Sequence, residues 1–203
     1  MRTEFINALQ IHQSAFALEL KDDAIDLLAD YYALIQEHNE FLNLVGPSTP
    51  EDFATRHILE SLTLLKYLTH GSWFADVGTG GGLPSIPCLL VRDDLKAVLI
   101  ESKEKKSKFL MLAVEKLKLK YRTRISTNQF QEANPGHAEA VTCRALDKFT
   151  ERLPRLIKWS GKRQMFLFGG PTLGETLQKC GGLFSSELMP MSRQRFLYVS
   201  DLS

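Results

Sequence analysis

Much that would define a metalloprotein, a membrane protein or a disulfide scaffold is missing from this 203-residue chain. Its 3 cysteines (Cys88, Cys143, Cys180) are odd in number and widely spaced, with no C-x-x-C pair, so they read as buried thiols and not as a disulfide framework. Its 5 histidines (His12, His38, His57, His70, His137) show no ligand spacing, and no metal is expected. No apolar run reaches the ~18 to 20 residues of a membrane span, and Met1-Arg2-Thr3-Glu4 does not open a signal peptide. A cytoplasmic protein with no membrane partner is the expectation. Repeats, low-complexity tracts and long linkers are absent as well. The length suits one sizeable core and a small appendage, not two full domains.

There is almost no net charge, only +1, but the charge that exists is segregated. Residues 1–60 carry 3 Lys/Arg against 11 Asp/Glu, residues 103–124 carry 9 against 2, and residues 143–203 carry 10 against 5. Such polarity is compatible with a polyanion approaching one face, and equally with the solvated side of a helix and its exit.

What is present is a run of glycines in a telling place. Trp73, Phe74, Ala75 and Val77 form an apolar lead into Asp76-Val77-Gly78-Thr79-Gly80-Gly81-Gly82-Leu83-Pro84, which reads as strand, tight turn and helix N-terminus. Glycine takes positive φ there without a Cβ clash and lets backbone come close to a ligand. A helix N-terminus would add free amides for an anionic group. The third glycine of the dinucleotide fingerprint G-x-G-x-x-G is replaced by Leu83. Glu101 follows the next apolar run, Ala97-Val98-Leu99-Ile100, where a carboxylate accepts both hydroxyls of a ribose. NAD and S-adenosylmethionine (SAM) both satisfy that geometry. The loop is more similar to that of SAM-dependent methyltransferases, in which no pyrophosphate is cradled.

The first 70 residues read as a helical N-terminal extension. Ala24, Leu27, Leu28, Tyr31, Leu34 and Ile35 lie on one stripe of a helix over 22–42. Gly46-Pro47-Ser48-Thr49-Pro50 interrupts it, and Thr49 is placed to cap a second helix that starts at Pro50 and runs to about residue 69. Residues 71–203 then alternate. Strands are expected at 73–77, 96–101, 122–126, 138–143, 163–168, 182–188 and 195–200. Helices are expected at 83–92, 103–118, 147–158 and 173–180. That pattern predicts an α/β, Rossmann-like, seven-stranded and mainly parallel sheet with an antiparallel pair at its end.

These residues together resemble the small-subunit (16S) rRNA guanine-N7 methyltransferases, the glucose-inhibited division protein B family. The likeness is carried by Asn43-Leu44, by Arg56-His57-Ile58-Leu59-Glu60-Ser61-Leu62, and by the glycine loop with its continuation Leu83-Pro84-Ser85-Ile86-Pro87. Glu101-Ser102 with Lys105-Lys106 and Phe109-Leu110, and Cys143-Arg144-Ala145-Leu146, extend it. It spans about residues 37–200 and implies a single SAM-dependent methyltransferase domain over 71–203, acting as a monomer on small-subunit rRNA. By position, Gly78, Gly80 and Leu83 would line SAM, Glu101 would bind its ribose, and Thr127 and Asn128, with Gln129, would meet the adenine. Arg144 would sit where cofactor and target base meet, serving both. Lys105, Lys106, Arg152 and Arg155, with the other bases of 103–124 and 148–163, would contact phosphate. No general base is needed, because guanine N7 already carries a lone pair, and this chain offers no compelling His-Asp or Cys-His constellation. Phe168 stands where the family shows a lysine, and Glu60, Glu101, Cys143 and Leu146 also depart from its usual residues. A methyltransferase of the same fold acting on another RNA or a small molecule, and a silent SAM- or RNA-binding module, are the alternatives.

Overall fold

Seven strands build one sheet: β1 (Trp73–Val77), β2 (Lys96–Ile100), β3 (Thr123–Ser126), β4 (Ala140–Arg144), β5 (Gln164–Gly169), β6 (Phe184–Leu188) and β7 (Phe196–Ser200). The computed structural model describes residues 1–144, 146 and 148–201 and orders the strands β3-β2-β1-β4-β5-β7-β6. The first five run parallel. β7 is antiparallel to both β5 and β6 and lies between them. The closing antiparallel pair is therefore as expected, with β7 inserted one place inward. The connection from β5 to β6 passes through a helix and leaves a slot, which the short return from β6 fills.

The helices are α1 (Arg2–His12), α2 (Asp22–Leu42), α3 (Pro50–Asp52), α4 (Glu60–Leu62), α5 (Ser85–Val91), α6 (Glu104–Lys116), α7 (Phe149–Ser160) and α8 (Pro171–Lys179). The expected start of the 147–158 helix at Asp147 lies outside the described residues. Side chains alternate across the strands and divide the interior into two layers. Phe74, Leu99, Ala140, Phe166 and Val199 face one layer with α1, α2, α5 and α6. Ala75, Val98, Val141, Leu167 and Tyr198 face the other with Leu153, Leu156, Leu173 and Leu177 of α7 and α8. The acidic N-terminal helices thus cover one side of the sheet.

α1 has no counterpart among the individual helices expected from spacing. Its buried stripe is short, only Phe5, Ala8 and Leu9, so periodicity barely registers. It is fixed from a distance: the Phe5 ring stacks on Tyr32 of α2 at 4.4 Å and meets Phe53 edge-on at 6.0 Å. The helix from Pro50 begins as its sequence indicates, with the Asp52 N–H donating to Thr49 Oγ1 at 3.0 Å. It is not a plain α-helix, however. Phe53–Leu59 is π-helical, α4 follows, and Thr63–Lys66 tightens to a 3₁₀ turn. Thr55 and Ser61 hydroxyls donate back to the carbonyls of Glu51 and His57, competing with the regular ladder.

One buried hydrogen bond ties the N-terminal layer to the glycine turn. Tyr31 of α2 is fully buried, and its hydroxyl donates to the Gly81 carbonyl at 3.0 Å. Tyr31→Phe leaves that carbonyl without its partner in a dry site. It should lower the unfolding free energy by about 1–3 kcal/mol, and urea denaturation monitored by tryptophan fluorescence measures the change.

Candidate active site

Strand order reverses between β1 and β4, and at such a point the carboxyl ends of parallel strands diverge into a crevice. A cavity of about 500 Å³ opens there. Gly78, Thr79, Gly80, Gly81 and Leu83 line it from the turn after β1, and Glu101, Ser102 and Lys103 from the end of β2. Gln129 comes from beyond β3 and Arg144 and Leu146 from the end of β4. Arg152 of α7, Lys106 of α6, His57 and the segment Leu44 to Gly46 complete the wall.

The glycine turn is built as its composition indicates, with φ of +70° at Gly78 and +58° at Gly80. Its amides are a different matter. Gly78 and Thr79 N–H groups donate to the Ile100 carbonyl at 2.8 and 3.3 Å, and those of Gly82 and Leu83 donate to Thr79 O at 2.8 and 3.1 Å. The Gly80 N–H donates to Glu101 Oε2 at 3.0 Å. The expected row of free amides for an anionic group is therefore not there: the turn spends its donors on itself and on β2. Glu101 is buried, and its other oxygen, Oε1, accepts from the Lys103 N–H at 2.8 Å. Each carboxylate oxygen keeps acceptor capacity, since it can accept more than one hydrogen bond.

Asp76, at the base of the turn, is fully buried. Its Oδ2 accepts from the hydroxyls of Thr79 at 2.7 Å and Ser85 at 2.6 Å, while Oδ1 has no partner. Burial pushes the carboxyl up to about 7, against the pull of the Ser85 and Thr79 hydrogen bonds. His57 is the second group with an orphaned buried atom, Nδ1. Burial, and then the nearby arginines Arg144, Arg56 and Arg195, lower its pKa to about 3, so the imidazole that lines the cavity is neutral.

Arg144 projects from the end of β4 between the first cavity and a second of about 570 Å³, whose walls include Leu146, Phe149, Phe168, Met189 and Phe196. Its guanidinium donates to Ser61 Oγ at 3.2 Å and to the Arg56 carbonyl at 2.5 Å, and lies 5.8 Å from the Phe168 ring. Glu60, 2 % exposed, stands 3.6 Å from Arg144 and accepts from Arg195 Nε at 2.6 Å. Burial pushes the Glu60 carboxyl up while Arg144 and Arg195 pull it down, and burial likewise lowers the Arg144 guanidinium. The π-helical run makes this arrangement: Glu60 N–H reaches back to the Thr55 carbonyl across five residues, and the widened turn sets His57, Glu60 and Ser61 around Arg144.

Of the residues singled out from sequence, the structure brings Gly78, Gly80, Leu83, Glu101 and Arg144 together around one cavity, with Lys106 and Arg152 in the same wall. Arg152 donates to Gln129 Oε1 at 3.3 Å. Thr127 and Asn128 are exposed and do not line the cavity, whereas Gln129 does. Lys105 lies in an adjoining groove, and Arg155 is exposed on α7. The basic stretch 103–124 does not form one surface. Arg122 donates to the carbonyls of Leu89, Arg92 and Leu95, and Arg124 lies over the Trp73 ring. Sequence reasoning gave no role to Arg195, Lys103 or Tyr31. Nothing local marks them, although the acidic Glu60 inside an apolar motif signals that a cation must meet it.

The profile of the rRNA small subunit methyltransferase G family (GidB) matches residues 24–179. The chain belongs to this family. The Ribosomal RNA small subunit methyltransferase G of Chromobacterium violaceum is 31% identical over 179 residues, 87% of this chain and 85% of that protein. Its namesake from Neisseria meningitidis serogroup C is 31% identical over 73% of this chain and 69% of its own length. Among solved structures, the ribosomal protein L11 methylase of Lactobacillus delbrueckii subsp. bulgaricus shares the fold, with a TM-score of 0.57, 15% identity, and coverage of 73% of this chain and 79% of that one. Among the described residues no group of His, Cys, Asp and Glu converges as a metal site would, and no helix is long and apolar enough to cross a membrane.

The two orphaned groups have opposite pH signatures. Asp76 binds its proton more tightly folded than unfolded, so its contribution falls as pH rises from about 4, the free-carboxyl value, to about 7. His57 binds its proton less tightly folded, so its contribution falls as pH drops from about 6.5 toward about 3. The stability of wild type relative to Asp76→Asn should decline with rising pH across this window, and that relative to His57→Gln should increase. Urea midpoints between pH 4 and 7 test both, and slopes of the same sign would contradict the assignment.

Proposed function

We propose that this chain transfers a methyl group from SAM to N7 of a guanine in small-subunit rRNA. The observation that carries the choice of cofactor is the hydrogen bonding of the glycine turn. A pyrophosphate cradle needs amides aimed at the ligand, whereas here those of Gly78, Thr79, Gly80, Gly82 and Leu83 are already spent. What the turn and Glu101 still offer suits a nucleoside without a diphosphate: backbone free of Cβ atoms for close approach, and a carboxylate with acceptor capacity for ribose hydroxyls.

When bound, SAM supplies a methyl made electrophilic by its sulfonium. The residues of this chain bind, align and exclude water. Glu101 holds the ribose, and Gly78, Gly80 and Leu83 contact the cofactor. The target base enters the second cavity, where the apolar wall of Phe149, Phe168 and Phe196 excludes water. Arg144, between the cavities, donates from N–H groups not committed to Ser61 and Arg56 toward guanine O6, as arginine reads guanine elsewhere. N7 is left free, and its lone pair forms the new N–C bond as the C–S bond breaks. No proton is removed, so His57 is not required as a base. Rate comes from alignment and electrostatics. Phe168, in place of the cation that the family resemblance leads one to expect, leaves this cavity more apolar, which favours as a second reading the same chemistry on another RNA or a small acceptor.

Labelled methyl transfer into small-subunit rRNA, tRNA and small acceptors separates these readings. Borohydride and aniline cleavage of the labelled RNA identifies N7-methylguanine. Glu101→Ala should abolish SAM binding by calorimetry. Arg144→Ala should keep SAM affinity and lose about 10²- to 10³-fold in kcat, as when one transition-state donor is removed; equal losses in both would remove Arg144 from the base-positioning role.

A further inference from the structure

Phe41 is the exposed phenylalanine of this chain. Of 12 phenylalanines the other 11 are buried or half-buried, while Phe41, in the last turn of α2, is 78% exposed. It lines a groove of about 470 Å³ with Leu42, Asn43, Lys103, Lys105 and Lys106. Lys103 and Lys106 also line the first cavity, so the groove adjoins the site.

The groove is cationic. The acid in its wall, Glu104, is paired with Lys108 at 2.8 Å. Among the described residues, Lys103 and Lys105 make no ion pair through their ammonium groups. Lys106 donates to the Asn43 carbonyl at 2.9 Å and so joins the end of α2 to the start of α6. An uncovered aromatic face beside unpaired lysines is how proteins hold single-stranded nucleic acid: a base stacks on the ring while cations track the phosphates. A duplex cannot use such a platform, because its bases are already stacked. An apolar protein partner would gain from Phe41 but would have to bury the lysines beside it without counter-charges.

We infer that this groove is a subsite for a nucleotide flanking the methylated guanine, its base stacked on Phe41 and its phosphate on Lys103 and Lys105. The inference rests on the rRNA reading above. It assigns to the tip of the otherwise acidic N-terminal layer a direct part in holding unpaired RNA.

Phe41→Trp in the full chain provides the test. Titrated with an oligoadenylate of about a dozen nucleotides at low salt, the variant should show indole quenching above the background of Trp73 and Trp159 in the wild type, and duplex RNA of equal length should not produce it. Phe41→Ala removes no core contact. It should weaken oligoadenylate binding by about 5- to 100-fold, the loss of one base–aromatic stack, and raise KM for rRNA with kcat and SAM affinity unchanged. Lys105→Ala should lower the salt slope of binding by about 0.7, one single-strand phosphate. The subsite is refuted if oligoadenylate is retained on filters without quenching, if duplex quenches equally, or if Phe41→Ala binds as tightly as wild type. Wild-type methylation of rRNA with an unaltered KM in Phe41→Ala removes the subsite alone. Quenching without any wild-type methylation of rRNA keeps the subsite and removes the reading of the substrate.

Discussion

Everything in this molecule is arranged around one topological constraint, the reversal of strand order between β1 and β4. Parallel strands that part at that point leave their carboxyl ends open, and each chain segment that follows a strand there adds a piece of wall. The glycine turn, Glu101, Gln129 and Arg144 come from four such segments. They meet because of strand order alone, although they are spread over more than 60 residues of sequence. The N-terminal layer closes the crevice from the side, held through Tyr31 to the turn and through Arg144 to the irregular helix.

Electrostatics inside this arrangement follow from dryness. Asp76, Glu60, His57 and Arg144 are removed from water to differing degrees, and each is displaced toward its neutral form by burial. Compensation is local. Hydroxyls serve Asp76, and two arginines converge on Glu60. The charge segregation along the chain has a plain spatial meaning too: most of the acidic residues of the first 60 lie on the outer surface of the layer that covers one face of the sheet, away from the cationic groove.

The alternating elements and the glycine turn were legible in the sequence because both are local. Apolar period, cap and turn chemistry mark Thr49-Pro50, the strands and the positive-φ glycines directly. Less was legible where distant partners decide. α1 is held by ring contacts to Tyr32 and Phe53, not by its own stripe. The position of β7 depends on a vacancy beside β5 that no residue of β7 announces. The spent amides of the turn depend on the carbonyl of Ile100 and the carboxylate of Glu101, more than 20 residues away. Arg122 and Arg124 count as surface cations in a charge tally, yet one caps three carbonyls and the other covers an indole.

The π-helical run Phe53–Leu59 has a meaning for how such a site is altered. A widened turn is what an α-helix becomes when it holds one residue more than its regular winding accommodates. The surplus is lodged in the stretch that carries Arg56 and His57, directly ahead of Glu60. Loss of any one residue there would let the helix rewind smoothly, with its ends still able to meet the loops on either side. Glu60 and Ser61 would then be turned by about 100° relative to the preceding residues, away from the arginine they hold. The same lineage of chains could thus exchange a functional face for a merely structural one by a single-codon change, at little cost to the fold.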